Sequence, residues 1–241
     1  MRVGTYVWQL TRDYPGAEAD DRRLPLSEVW FKTHDGPTWM AHYYAHPRAP
    51  DSSASVSRLV AWYAERGLGF LPWCVPTGED LAAEAALASD VLDGLVAAGA
   101  RARLAFDVEV EDTPNFWKSS PSKMVDLVSR VREGHPSAEL TLVVYQDAEI
   151  GLGLIAPVFD VLSSMDYWPQ YRTEPLAQLQ SSHDRLARFG KPIVYALPGD
   201  APPAELASAL RWVHAHGSRP ILWRRGLVSS EAWDLIASLE G

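Results

Sequence analysis

Cysteine is nearly missing from this sequence of 241 residues, where Cys74 is the only copy. A single thiol excludes an intrachain disulfide and a cysteine-based zinc site. Basic charge is also short. Lys and Arg number 22 against 31 Asp and Glu, a net charge of −9, which argues against a nucleic-acid or anionic-membrane surface. No apolar stretch is long enough to cross a bilayer. No charged-then-apolar leader precedes the first strand-like run at Arg2, so the expected location is cytoplasmic as made, with export only by a non-classical or phage-type route. Neither a Gly-x-Ser-x-Gly elbow nor a P-loop is present. The first strand runs into Trp8-Gln9-Leu10 rather than the Gly-rich turn of a dinucleotide fold. The seven histidines are scattered, and neither metal nor cofactor is expected.

What remains is an ordinary globular composition, 47% apolar and 22% charged, with tryptophan as the outlier at ten copies. Short β-type runs alternate with helical patterns. The strands read as Val3–Gln9, Val29–Thr33, Gly69–Cys74, Arg103–Glu109, Leu140–Tyr145, Val161–Tyr167, Pro192–Leu197 and Pro220–Trp223. Most are apolar on both faces, as parallel strands covered by helices must be. Helical spacing of apolar residues marks Ser53–Arg66, Asp80–Ala98, Ser122–Arg132, Glu174–Phe189, Ala204–Ala215 and Ser230–Leu239. Four of these helices run into Gly67, Gly99, Gly190 and Gly217, each a good left-handed stop. Two connections are irregular: Thr11–Pro25, with Pro15, Gly16 and a charge cluster, and the Gly-containing Glu149–Asp160. A further loop, Ala41–Asp51, follows the second strand. Eight strands with helical crossovers in this length predict an α/β fold, a single (β/α)8 TIM barrel spanning 1–241 with irregular first and fifth crossovers.

In such a barrel the chemistry lies at the carboxyl ends of the strands. Those ends carry Tyr6, Trp8 and Gln9; Lys32, His34 and Asp35; Trp73; Asp107 and Glu109; Tyr145; Asp166, Tyr167 and Trp168; Tyr195; and Trp223 with Arg224 and Arg225. Asp107 and Glu109 stand two apart, so on a strand they share a face. Two carboxyls that close raise the proton affinity of one of them, which suits a general acid. Asp166 likewise follows directly on an apolar strand, where an unpaired carboxylate is costly to bury. Glu111, Asp112 and Asp147 read as solvated loop residues. Trp8, Trp30, Trp73, Trp168 and Trp223 all fall near strand ends, where aromatic faces at a barrel mouth form a platform for sugar rings or other flat ligands.

The ordered series of motifs resembles glycoside hydrolase family 25, the lysozyme-type muramidases. Gly4-Thr5-Tyr6-Val7-Trp8-Gln9 stands where that family has Gly-Ile-Asp-Val-Ser followed by Gln. Trp30-Phe31-Lys32-Thr33-His34-Asp35-Gly36 stands for Phe-Ile-Lys-Ala-Thr-Glu-Gly, and Asp107-Val108-Glu109 matches the family's Asp-x-Glu. The departures are Tyr6 in place of the strand-one aspartate and Asp35 in place of a glutamate. The resemblance implies a glycoside hydrolase-like barrel that hydrolyses or binds an amino-sugar polymer such as peptidoglycan. Its catalytic set would be Asp107, Glu109 and Asp166. Substrate would be held by Tyr6, Trp8, Asp35, Trp73, Tyr145, Trp168, Tyr195 and Trp223. The departures keep a second reading open: a non-catalytic glycan-binding or structural barrel in a larger extracellular or phage-type assembly.

Overall fold

The structure is a computed structural model describing residues 1–14, 23–109, 116–145 and 151–239. Pro15, Gly16, Glu111, Asp112 and Asp147 therefore lie outside the described residues. Eight parallel strands close on themselves: β1 (Val3–Val7), β2 (Leu26–Asp35), β3 (Gly69–Val75), β4 (Arg103–Val108), β5 (Glu139–Tyr145), β6 (Val161–Met165), β7 (Ile193–Pro198) and β8 (Arg219–Trp223). Each pairs with the next, and β1 pairs with both β2 and β8, which closes the ring. The helices are α1 (Ser53–Ala64), α2 (Leu81–Ala97), α3 (Pro121–Gly134), α4 (Pro175–Ala187), α5 (Pro203–Ala215) and α6 (Ser230–Ser238), with one-turn pieces at Leu10–Asp13, Leu152–Ile155 and Trp168–Tyr171. The closed eight-stranded barrel with helices between its strands matches the sequence expectation.

Local chemistry explains the boundaries. Ser52 and Ser55 cap α1 reciprocally, satisfying backbone donors that the first turn leaves over. Gly67, Gly99, Gly190 and Gly217 all take positive φ, the left-handed turn that ends a helix without a Cβ penalty. Helix α3 turns Met124, Leu127, Val128 and Val131 inward.

The barrel interior is filled, not hollow. Its amino-terminal end is plugged by Glu28, which pairs with Arg103 at 3.0 Å and Arg219 at 3.4 Å and accepts from Trp30 Nε1 at 3.1 Å. Above that plug Trp30, Leu71, Ala105, Val143, Val161, Val194 and Ile221 belong to one buried inner cluster that reaches up to Tyr6 and Trp73. A Cβ on Gly4 would run into Ile221. The outer core, between strands and helices, is a separate and larger cluster.

Strand β2 is longer than its sequence pattern suggests, and it is bulged. Lys32 pairs with Trp73 while His34 pairs with the next residue, Cys74, so Thr33 is extra. A bulge changes the alternation of faces. Lys32 and Asp35, three apart, therefore both turn inward, whereas a regular strand would separate them. Past Gly36 the chain returns as a two-residue antiparallel strand, Thr38–Trp39, against His34 and Asp35.

Candidate active site at the barrel mouth

The carboxyl ends of the strands open onto two connected lobes. The smaller, about 160 Å³, is lined by Tyr6, Asp107, Glu109, Tyr145, Met165, Tyr167, Gln170, Tyr171 and Trp223. The larger, about 350 Å³, is lined by Trp8, Gln9, Lys32, Asp35, Tyr43, Trp73, Val75, Asp107, Glu109, Phe116 and Trp223. Asp107, Glu109 and Trp223 are common to both, so the acid pair stands at the junction.

Burial sets the character of the pair. Asp107 is 5% exposed, and its Oδ1 has no hydrogen-bond partner among the described residues. Burial first, then the neighbouring Glu109 charge, pushes its carboxyl well above the usual carboxylate range; Lys32 pulls the other way, and Asp35 adds to the push. Asp107 thus binds a proton more tightly than a free carboxyl does. Glu109 is half-buried, and its carbonyl accepts from Trp117 N at 2.9 Å. A buried acid of raised proton affinity beside a more accessible carboxyl suits proton transfer to and from a ligand.

The floor beneath them is aromatic. Tyr6 meets Trp30, Trp73 and Trp223 edge-on, with centroids 5.2, 5.5 and 5.2 Å away. Trp73 Nε1 is used by the carbonyls of Trp30, at 3.1 Å, and Val7, at 3.3 Å. The mouth is held together by Asp13, fully buried, which accepts from Trp8 N at 2.7 Å, Gln9 N at 2.9 Å and Gly226 N at 3.2 Å and pairs with Arg224 at 2.5 Å. Trp8, whose backbone N–H is held by Asp13, and Trp223, which precedes Arg224, stack at 6.3 Å.

The structure brings together Tyr6, Trp8, Asp35, Trp73, Asp107, Glu109, Tyr145 and Trp223 from the sequence expectation. Three others lie elsewhere. Ser163 and Met165 of β6 sit on the interior side, so Ser164 and Asp166 face outward; Asp166 accepts from Ser164 and, at 2.5 Å, from Ser182 of α4. Trp168 is packed in the outer core and donates to Glu205 at 2.8 Å. Tyr195 also faces outward, bonded to His183 at 2.8 Å and set against Trp212. These three corrections share one cause: an apolar run buried on both faces does not reveal which parity points inward. Two tryptophans need correction as well. Trp30 is buried in the interior, and Trp73, 2% exposed, presents little face to a ligand.

Residues that the sequence reading did not commit to complete the lobes. Lys32 enters through the bulge. Tyr43 and Phe116 come from loops, and Tyr167, Gln170 and Tyr171 from the turn after β6. Of these, Tyr167 was readable as the neighbour of opposite parity to Asp166. His34 does not join the acids. It pairs with Thr33 Oγ1 at 2.9 Å, and burial, then Lys32, lowers its pKa to about 3. His42 and His46 stand four apart, but His46 stacks on Tyr44 at 5.9 Å and accepts from Arg48 N at 3.1 Å. Among the described residues no three His, Cys, Asp or Glu groups converge as metal ligands, and no helix is long and apolar enough to cross a membrane.

No protein-family model matches the chain, and no curated protein matches it in sequence. Solved structures do match. The catalytic domain of a hyperthermophilic chitinase from Pyrococcus furiosus superimposes with a TM-score of 0.62 at 13% identity, covering 100% of this chain and 96% of that one. A β-mannanase from Streptomyces thermolilacinus, solved with mannohexaose, gives 0.58 at 14%, covering 93% and 78%. A chitinase-like lectin from tamarind gives 0.59 at 14%, covering 96% and 97%. The chain shares the barrel fold of glycoside hydrolases and of a lectin built on the same frame.

Proposed function

We propose that the protein is a glycoside hydrolase acting on an amino-sugar polymer such as peptidoglycan, with Asp107 and Glu109 as its acid pair. The observation that carries this reading is the buried Asp107, whose carboxyl is pushed above the usual range, beside Glu109 at the junction of two aromatic-walled lobes. A polysaccharide lying across both lobes would present one glycosidic oxygen to that junction. Glu109, the more accessible acid, delivers the shared proton to the departing oxygen. The ionised Asp107 left behind stabilises positive charge growing on the reacting sugar. In the substrate-assisted course the acetamido carbonyl oxygen of that sugar attacks the anomeric carbon as the glycosidic bond breaks, and Asp107 accepts its N–H. Water then opens the cyclic intermediate and returns a proton to Glu109. Tyr6 and Tyr145 supply hydroxyls to the smaller lobe; Trp8 and Trp223 offer stacking edges and faces.

Glu109→Gln keeps the shape and removes the transferable proton. Turnover should fall by at least about a hundredfold, the scale of lost general acid catalysis, while tryptophan fluorescence still reports oligosaccharide binding. Equal activity in the variant would remove Glu109 from the role.

A second reading has one observation in its favour. Tyr6 fills the strand-one position where the muramidase pattern has aspartate, and its ring is locked among three tryptophans. On this reading the barrel binds glycan without cleaving it. Binding of peptidoglycan or chitin fragments with no turnover of those polymers or of aryl glycosides would select it.

A further inference from the structure

In the larger lobe Lys32 is the only cation among the described lining residues. Its side chain is 7% exposed, and its ammonium lies 5.3 Å from the Trp73 ring centroid, 5.8 Å from Tyr43 and 5.9 Å from Trp8. An ammonium has three donors. Among the described residues one carboxylate pairs with it, Asp35 at 2.7 Å. Asp35 is itself about a quarter exposed at the lobe wall. The pair exists on this face only because the Thr33 bulge turns residues 32 and 35 the same way. A buried ammonium with spare donors beside a carboxylate with spare acceptor capacity is a matched donor and acceptor for one hydroxyl group.

We infer that Lys32 and Asp35 form a hydroxyl clamp that makes the larger lobe a subsite for a neutral sugar ring carrying a free hydroxyl. The hydroxyl oxygen accepts from Lys32, its proton is donated to Asp35, and the ring lies against the Trp8 side of the lobe. The charges decide against an acidic ring. Lys32 is balanced by Asp35, Glu109 adds a carboxylate to the same lobe, and the chain carries −9 overall. A uronic acid or carboxylate-bearing sugar would meet net negative charge in a partly desolvated space, where repulsion is poorly screened. This inference rests on the glycan-binding reading and narrows it: the ring in this lobe is uncharged, whatever the neighbouring ring carries.

The test is binding, independent of turnover. Tryptophan fluorescence or calorimetry would compare a neutral N-acetylglucosamine oligomer with an oligomer of the same length containing uronic acid, using wild type, Lys32→Met and Asp35→Asn. Loss of a charge-assisted hydrogen bond should weaken the neutral oligomer by roughly ten- to a hundredfold in each variant, and wild type should prefer the neutral oligomer. Asp35→Asn keeps the shape of the lobe and covers the case in which Lys32→Met folds poorly. Unchanged affinity in a folded variant, or tighter binding of the acidic oligomer to wild type, would overturn the clamp and leave the glycan site standing. If neither oligomer binds wild type, the glycan reading itself falls, and the clamp with it.

Discussion

Asp166 offers a quantitative test of how the barrel wall is joined to its helices. The carboxyl is 0% exposed, held between Ser164 of β6 and Ser182 of α4. Burial raises its pKa from 3.8 to about 6, against the opposing pull of Ser164, Ser182, Gln178 and the Arg185 charge. Below about pH 3 the group is largely neutral in both folded and unfolded chains. Between about pH 4 and pH 6 the unfolded chain ionises while the native one keeps its proton. The native state then binds more protons, so this group's contribution to stability falls as pH rises through that window. At about 1.4 kcal/mol for each tenfold change in proton affinity, the loss by pH 7 is roughly 3 kcal/mol, a large share of a typical 5–15 kcal/mol of stability. Asp166→Asn removes the titration and keeps an amide that the two serine hydroxyls can both meet. Urea unfolding of both proteins at pH 4, 5, 6 and 7 isolates the effect, because every other titrating group, Asp107 included, is common to the pair. The variant should gain roughly 2 kcal/mol relative to wild type between pH 4 and pH 7. Any fixed cost of the amide moves the whole difference curve without tilting it. A flat curve would refute the reasoning, and a slope of the opposite sign would mean that Asp166 is ionised and stabilised by Arg185.

Two substitutions probe the mouth. Tyr6→Asp restores the acid of the muramidase pattern but removes a ring that meets three tryptophans; unfolding should show a loss of about 3–5 kcal/mol with no gain of turnover. If activity appears in an inert parent, the site is a degenerate muramidase. Asp13→Ala strands the nearly buried Arg224 and the backbone donors of Trp8 and Gln9, and should cost about 3–5 kcal/mol in the same assay. A loss below about 1 kcal/mol, the range of an exposed ion pair, would show that the Asp13 pair does not anchor the mouth.

The barrel was legible because its signals are local and repeated. Each strand reads as an apolar run such as Leu140–Tyr145, and four helices stop at a glycine whose positive φ the structure shows. The shared face of Asp107 and Glu109 was legible for a similar reason, since residues two apart on a strand point the same way. Parity was not legible. In Val161-Leu162-Ser163-Ser164-Met165-Asp166 both faces are buried, so nothing in the pattern says that Ser163 and Met165 face the axis and Asp166 the helices. The bulge at Thr33 was hidden too, because an extra residue leaves no mark in a buried strand. With it went Lys32, whose place beside Asp35 follows from the bulge alone.

The same aromatic floor that sets this barrel apart from the muramidase pattern accounts for its acid pair. An aspartate at position 6 would put another negative charge below Asp107 and Glu109, and repulsion between charges would then govern which acid holds a proton. With a phenol there the causes are reordered. Tyr6, Trp30, Trp73 and Trp223 pack into an apolar floor, and burial becomes the largest contribution to the raised proton affinity of Asp107, ahead of Glu109. Burial acts at the group itself and is little affected by salt, whereas repulsion between partly exposed carboxylates is screened. In the folded chain Tyr6 is part of the apolar floor beneath Asp107, and burial is the largest cause of the raised proton affinity of that acid.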